Sequence, residues 1–117
     1  MDPLFDASGQ VYAWLERATG RILDLRGRHL AFLEADSIYN WRGRHVAWWH
    51  GDHARNQSGK VAVFLKNANT AVMGVARPWL KPPPPRPTPA IAPSKPGMAF
   101  RPPRPAPESA WASVVPF

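Results

Sequence analysis

The 117-residue chain contains no cysteine. That excludes disulfides, thiolate metal centres and thiol nucleophiles. It also removes the usual covalent staple of a small fold. Long apolar runs are missing too. The most apolar stretch, residues 61–80, is broken by Lys66, Asn67, Asn69, Arg77 and Pro78, which excludes a membrane-spanning helix there. The opening Met1-Asp2-Pro3-Leu4-Phe5-Asp6 has neither the basic start nor the apolar stretch of a secretory signal, so a cytoplasmic location is the default expectation. No glycine-rich run of phosphate-binding type occurs.

Proline is nearly absent from the first part of the chain and abundant in the second. Fourteen of the fifteen prolines lie from Pro78 onward. Charge divides at the same place. Residues 1–76 carry nine lysines and arginines against seven carboxylates, a balance of +2; residues 77–117 carry six against Glu108, a balance of +5. The expected organisation is a small domain at 1–76 and a basic, proline-rich tail at 77–117. A core of that size is marginal by surface-to-volume scaling, and without disulfides the expected remedy is a homo-oligomer.

The first part is repetitive. LFDASGQVYAWLE (Leu4 to Glu16), ILDLRGRHLAFLE (Ile22 to Glu34), IYNWRGRHVAWWH (Ile38 to His50) and ARNQSGKVAVFLK (Ala54 to Lys66) align without a gap on Gly9, Gly27, Gly43 and Gly59. Repeats of this kind are read before anything else. Three positions before each glycine stands Asp6, Asp24, Asn40 or Asn56. Asp or Asn at the first position and Gly at the fourth mark a type I turn, and the short side-chain oxygen accepts a backbone N–H two residues on. The glycine supplies the positive φ of a bulge closing a tight hairpin. Each unit therefore reads as one β-hairpin, and these eight residues as its structural turn.

The strand after each glycine has four repeating columns: Tyr12/Leu30/Val46/Ala62, Ala13/Ala31/Ala47/Val63, Trp14/Phe32/Trp48/Phe64 and Leu15/Leu33/Trp49/Leu65. Side chains alternate faces along a strand, so both faces are apolar. A two-layer antiparallel sheet normally has one wet face. One face is therefore expected to form the core. The other is expected to be covered by a neighbouring subunit or by the tail. Second turns at 17–20, 35–37 and 51–53 make the whole an all-β meander of four hairpins about a pseudo-fourfold axis, with the aromatic column expected inside. The last unit, with Ala54, Arg55 and Gln57 in its first arm, reads as a solvent-exposed end repeat.

Residues 37–49, Ser-Ile-Tyr-Asn-Trp-Arg-Gly-Arg-His-Val-Ala-Trp-Trp, with the repeats around them and the proline-rich tail, resemble the bacterial 4-fold beta flower proteins. The resemblance covers about residues 4–66 plus the style of the tail. It implies four β-hairpin petals and carries over no activity, catalytic residue or cofactor.

From Arg77 the composition predicts polyproline II or disordered chain. Extended at about 3.1 Å per residue, it reaches far from the domain before ending in an apolar segment with Trp111 and Phe117. Those two rings are candidate anchors for a partner or another subunit. The plainer alternatives are that they cover an apolar patch on their own domain or stay unordered.

Other constellations point to no chemistry. His50-Gly51-Asp52-His53 lacks the further ligands at fixed spacing that zinc requires. His29 and His45 share a column with Val11 and Val61. Ser8, Ser37 and Ser58 sit in turns, and no nucleophile–base set accompanies them. Catalytic, cofactor and metal residues are therefore none. Candidate interaction residues are Trp14, Trp41, Trp48, Trp49, Arg42, Arg44, Trp111 and Phe117. The leading expectation is a non-enzymatic scaffold acting through self-association or tail docking. Arg26, Arg28, Arg42 and Arg44 beside Trp41 offer an alternative, a module for nucleic acid or another polyanion. A second alternative is a cell-envelope glycan or choline-binding repeat, based on aromatic cages for cations.

Overall fold

A computed structural model describes residues 1–117. Eight strands run in sequence: β1 Asp2–Phe5, β2 Val11–Glu16, β3 Arg21–Leu23, β4 His29–Glu34, β5 Ser37–Asn40, β6 His45–Trp49, β7 His53–Arg55 and β8 Val61–Leu65. Each pairs antiparallel with the next, and β8 returns to β1 through Leu4–Leu65 and Phe5–Phe64, so the sheet closes into a barrel. Closure leaves no free edge. No helix interrupts the repeats. A single turn, α1 (Thr70–Met73), follows them, capped by the Asn69 side chain and by left-handed Gly74.

The turns follow the repeat. The Asp6, Asp24, Asn40 and Asn56 side chains each accept backbone N–H groups two and four residues on, at 2.8–3.2 Å. Gly9, Gly27, Gly43 and Gly59 have φ of 80–87°. A second irregularity recurs beyond each turn. Val11 and Tyr12 together face Phe5, and equivalent bulges lie opposite Leu23, Tyr39 and Arg55. In an up-and-down barrel alternate turns lie at opposite ends. All four glycine turns therefore mark one end, and the turns at 17–20, 35–36 and 50–52 mark the other.

The aromatic column faces outward, contrary to the expectation that it lines the axis. The interior holds Leu4, Ala13, Leu15, Ile22, Ala31, Ile38, Ala47, Ala54, Val63 and Leu65. An eight-stranded barrel leaves room for little more than small and aliphatic side chains. Tryptophan and phenylalanine are too bulky for it. Trp14, Phe32, Trp48 and Phe64 are nevertheless at most 2 % exposed, because the tail lies over them.

Of the two forms that its composition suggests, extended or disordered, the tail takes the extended one. It passes each glycine turn in order. Lys81, Ala90, Ala99 and Glu108 donate backbone N–H bonds to the carbonyls of Gly9, Gly27, Gly43 and Gly59, at 2.8–2.9 Å. The donors are nine residues apart. So are Arg77-Pro78, Arg86-Pro87, Lys95-Pro96 and Arg104-Pro105, whose prolines are all half-buried. One nine-residue segment thus serves one hairpin. Proline suits this strap because the chain stays extended and offers few N–H groups needing partners.

The first arm of the last hairpin is not a solvated end. His53, Ala54 and Arg55 are buried at 0, 0 and 3 % exposure. The barrel closes on itself, so no hairpin is terminal.

Removing residues 78–117 uncovers four large side chains, each worth about 1.5–3 kcal/mol when buried. The truncated chain is expected to melt at least 10 °C lower, by roughly 4–8 °C per kcal/mol for a domain this small, and to bind a hydrophobic dye. Circular dichroism and dye fluorescence decide this; an unchanged melting temperature would show that the barrel stands without its strap. Glycine offers a finer probe. A Cβ at Gly27 would lie 2.1 Å from the Thr88 carbonyl oxygen, whereas one at Gly51, φ 87°, meets nothing. Gly51→Ala is expected to cost about 1 kcal/mol of backbone strain, and Gly27→Ala clearly more in urea unfolding. Equal losses would mean that the tail does not need that approach.

Candidate functional site

Two parts of the molecule concentrate polar or aromatic side chains. The first is the layer where the tail crosses the aromatic column. The guanidinium of Arg77 lies 5.8 Å from the Phe64 ring, the Lys95 ammonium 5.3 Å from Phe32, and Arg104 and Arg101 lie 5.4 and 4.9 Å from Trp48. Such cation–π contacts stabilise by about 0.5–2 kcal/mol each. The same cations continue to the far end of the barrel. Lys95 pairs with Glu34, and Arg101 and Arg104 with Asp36, while Arg77 donates to the carbonyls of Lys66 and Ala68. Part of the basic excess of the tail is thereby matched to the carboxylates of the domain.

The second part is a buried hub beneath the last hairpin. Arg55 spends its guanidinium on carbonyls of three separate segments: Gly59 in the turn, Glu108 in the tail, and Val72 and Met73 at the end of α1, at 2.7–3.3 Å. Its Nε donates to His53 Nε2 at 3.2 Å. His53 Nδ1 faces Asp52 at 2.5 Å, and the other Asp52 oxygen accepts from the Asn69 N–H. This arrangement keeps His53 neutral, with its proton on Nδ1. Burial lowers its pKa further, against the raising effect of Asp52. His50 stacks on His53 at 4.9 Å and meets Arg104 at 3.1 Å. Burial and then the neighbouring His53 push its pKa down to about 4.

The hub resembles an acid–histidine pair but is not arranged for catalysis. His53 Nε2, the atom that would face a nucleophile, is occupied by Arg55, and the ring is fully buried. No three or more His, Asp or Glu side chains converge in a metal-binding geometry. What the hub can do is bind segments together.

The candidate interaction residues divide between these regions. Trp14 and Trp48 lie in the layer under the tail, and Trp41 packs on Phe32 at 4.8 Å beneath Arg21. Trp49 packs against the barrel core at its rim. Trp111 forms a parallel bridge to Val61 and lies 5.6 Å from Phe64. The Phe117 ring meets Tyr12 edge-on at 6.1 Å, and the Tyr12 hydroxyl donates to its carbonyl. Arg42 and Arg44 stay exposed beside Gly43.

Sequence reasoning missed the Arg55–His53 hub and the nine-residue strap. The strap had a signal, Arg/Lys-Pro at a fixed period. The hub had only one, an arginine standing in the column otherwise filled by Phe5, Leu23 and Tyr39.

Replacing Arg55 by methionine leaves the carbonyls of Met73, Val72 and Glu108 without this donor, while the Gly59 carbonyl keeps the Glu108 N–H; a buried carbonyl left unpaired costs about 1–3 kcal/mol. A loss of at least 3 kcal/mol in urea unfolding is expected, and a loss below 1 would count against the hub. Acid has a calculable direction. A histidine whose folded pKa is depressed binds more protons when unfolded, so stability rises with pH between the two values. Stability is therefore expected to be full above about pH 6.5, the unfolded histidine value, and to decline toward pH 4. His50→Gln should flatten that slope in melting curves; an unchanged slope would assign it to other groups.

One family profile, described as 4-fold beta flower protein, matches residues 2–115. No curated protein and no solved structure matches the chain. That family is not a known enzyme family. No helix of the chain is long and apolar enough to cross a membrane. The profile spans all four hairpins and nearly the whole strap, and the chain belongs to the 4-fold beta flower protein family.

Proposed function

We propose that the protein is a non-catalytic docking module whose working surface is the outward side of the strap together with the glycine-turn end of the barrel. Three features support this reading. The barrel interior is filled by aliphatic side chains. The outward aromatic column is covered by the chain's own tail, and Trp111 and Phe117 are packed on the domain. What stays free is a set of large apolar side chains on the strap: Trp79 is 89 % exposed, Ile91 97 %, and Phe100 fully. The last observation carries the proposal. Leaving such groups in water on an anchored segment costs solubility and gives the fold nothing, whereas a partner would bury them.

The test is gel filtration of a detergent-free extract, membrane vesicles included, from cells that make the protein, comparing the full chain with Trp79→Ala/Ile91→Ala/Phe100→Ala. The wild-type chain is expected in assemblies larger than its 13.0 kDa, and the triple variant at the size of the free chain with unchanged melting. Elution of both as free chain would overturn the docking reading.

A further inference from the structure

The two ends of the barrel differ in charge. The end with the turns at 17–20, 35–36 and 50–52 carries Asp2, Glu16, Glu34, Asp36 and Asp52 with Arg17, Arg21 and Lys66, and Lys95, Arg101 and Arg104 of the tail pair there. The glycine-turn end carries Arg26, Arg28, Arg42, Arg44 and Lys60, with Lys81 of the tail bonded to Gly9. Its carboxylates are Asp6, Asp24 and Glu108, the last bonded through its own N–H to Gly59. Asp6 accepts backbone N–H groups of its own turn, and Asp24 pairs with Arg28 at 2.8 Å, which with the turn N–H groups holds its carboxyl below the usual range.

The exposed apolar side chains lie at that same end. Trp79 stands where its own carbonyl abuts Gly9. Ile91 and Phe100 each directly follow the residue that bonds Gly27 or Gly43. Leu25 in the second turn and Met98 in the strap are each about half exposed. The molecule is a disc, 37 × 36 × 22 Å. Four turns at one end of a closed barrel make that end a broad face, here both cationic and studded with aromatic and aliphatic groups.

We infer that the glycine-turn end seats on an anionic lipid bilayer, with Trp79, Ile91 and Phe100 entering the headgroup–acyl boundary and the turn arginines holding the headgroups. The inference rests on the docking reading and names its partner. Two observations favour lipid over nucleic acid. Ile91, Leu25 and Met98 have no flat face on which a base could stack. Single-signal membrane binding is weak, and stable attachment combines apolar insertion with a basic patch, the combination found on this face. Each arginine near an anionic surface contributes independently of the apolar groups, so the two sets can be tested separately.

The experiment is cosedimentation of the full chain with vesicles of phosphatidylcholine alone or mixed with phosphatidylglycerol. Binding is expected only to the anionic vesicles, declining with added salt. Arg42→Glu/Arg44→Glu should weaken it by about tenfold or more, and Trp79→Ala/Ile91→Ala/Phe100→Ala by at least as much, with melting temperatures of both variants unchanged. Trp79 emission should shift to the blue on binding, and Trp79→Phe should abolish that shift. Absence of binding to anionic vesicles overturns the inference. So does wild-type binding by the apolar triple variant, which would reduce the attraction to charge alone. Tighter binding to single-stranded RNA than to the vesicles would reassign the face to nucleic acid. If vesicles fail while the extract still shows assemblies that the triple variant lacks, docking stands and the lipid assignment falls.

Discussion

The structure depends on the close approach of the tail backbone to four glycines. At each one a tail carbonyl oxygen, from Trp79, Thr88, Gly97 or Ala106, sits where a Cβ would be, at 1.9–2.1 Å. The glycine carbonyl in turn receives an N–H from two residues further along the tail. No other residue allows both the positive φ and the contact. From this follow the order of the tail, the burial of the outward aromatic column and the placement of the tail cations over those rings. A fold that cannot bury large rings inside a narrow barrel buries them between barrel and strap. The glycine therefore has two uses, of which turn geometry explains only one.

Much of this was legible in the sequence, though not all. Repeat register, turn chemistry and four-hairpin closure followed from Asp6, Gly9 and their equivalents, because turn preferences are local. The second apolar face was also legible, and so was its covering by either a subunit or the tail. Which face lies inside was not. Alternation separates two faces without ranking them, and the deciding quantity is volume. The column Ala13, Ala31, Ala47 marked the narrow interior, but an alanine column also suits close approach from outside. The nine-residue period of the tail was masked by Lys81-Pro82, Arg101-Pro102 and the run Pro82–Pro85. Such composition reads as unstructured until a surface with matching period is placed beside it. The Arg55 hub was illegible for a different reason. Its acceptors come from the turn, α1 and the tail, and only the folded chain assembles them.

Charge shows how the parts are apportioned. The tail brings most of the positive balance, and three of its six cations, Lys95, Arg101 and Arg104, turn to the carboxylates at one end. Those exposed pairs contribute little stability individually. Their larger effect is in pairing the carboxylates of that end, while the cations of the glycine turns outnumber the carboxylates Asp6, Asp24 and Glu108 near them. Polarity of the disc is thus a product of how the strap is laid, and reversing its direction would cancel it.

The departures from fourfold symmetry gather at one place. The barrel closes where β8 meets β1. The strap begins at the same seam with Leu80 and ends there with Trp111, both packed against the cluster of Phe5, Phe64 and Met73. A ring made from one chain must have such a seam, and symmetric contacts cannot close it, because there the first and last segments meet. Arg55 replaces an apolar residue of the column at that seam and draws carbonyls from turn, helix and tail. Charge-assisted bonds to carbonyls are individually strong and require every partner in place. The one hairpin that departs from the apolar pattern is therefore the one that joins the two ends of the strap.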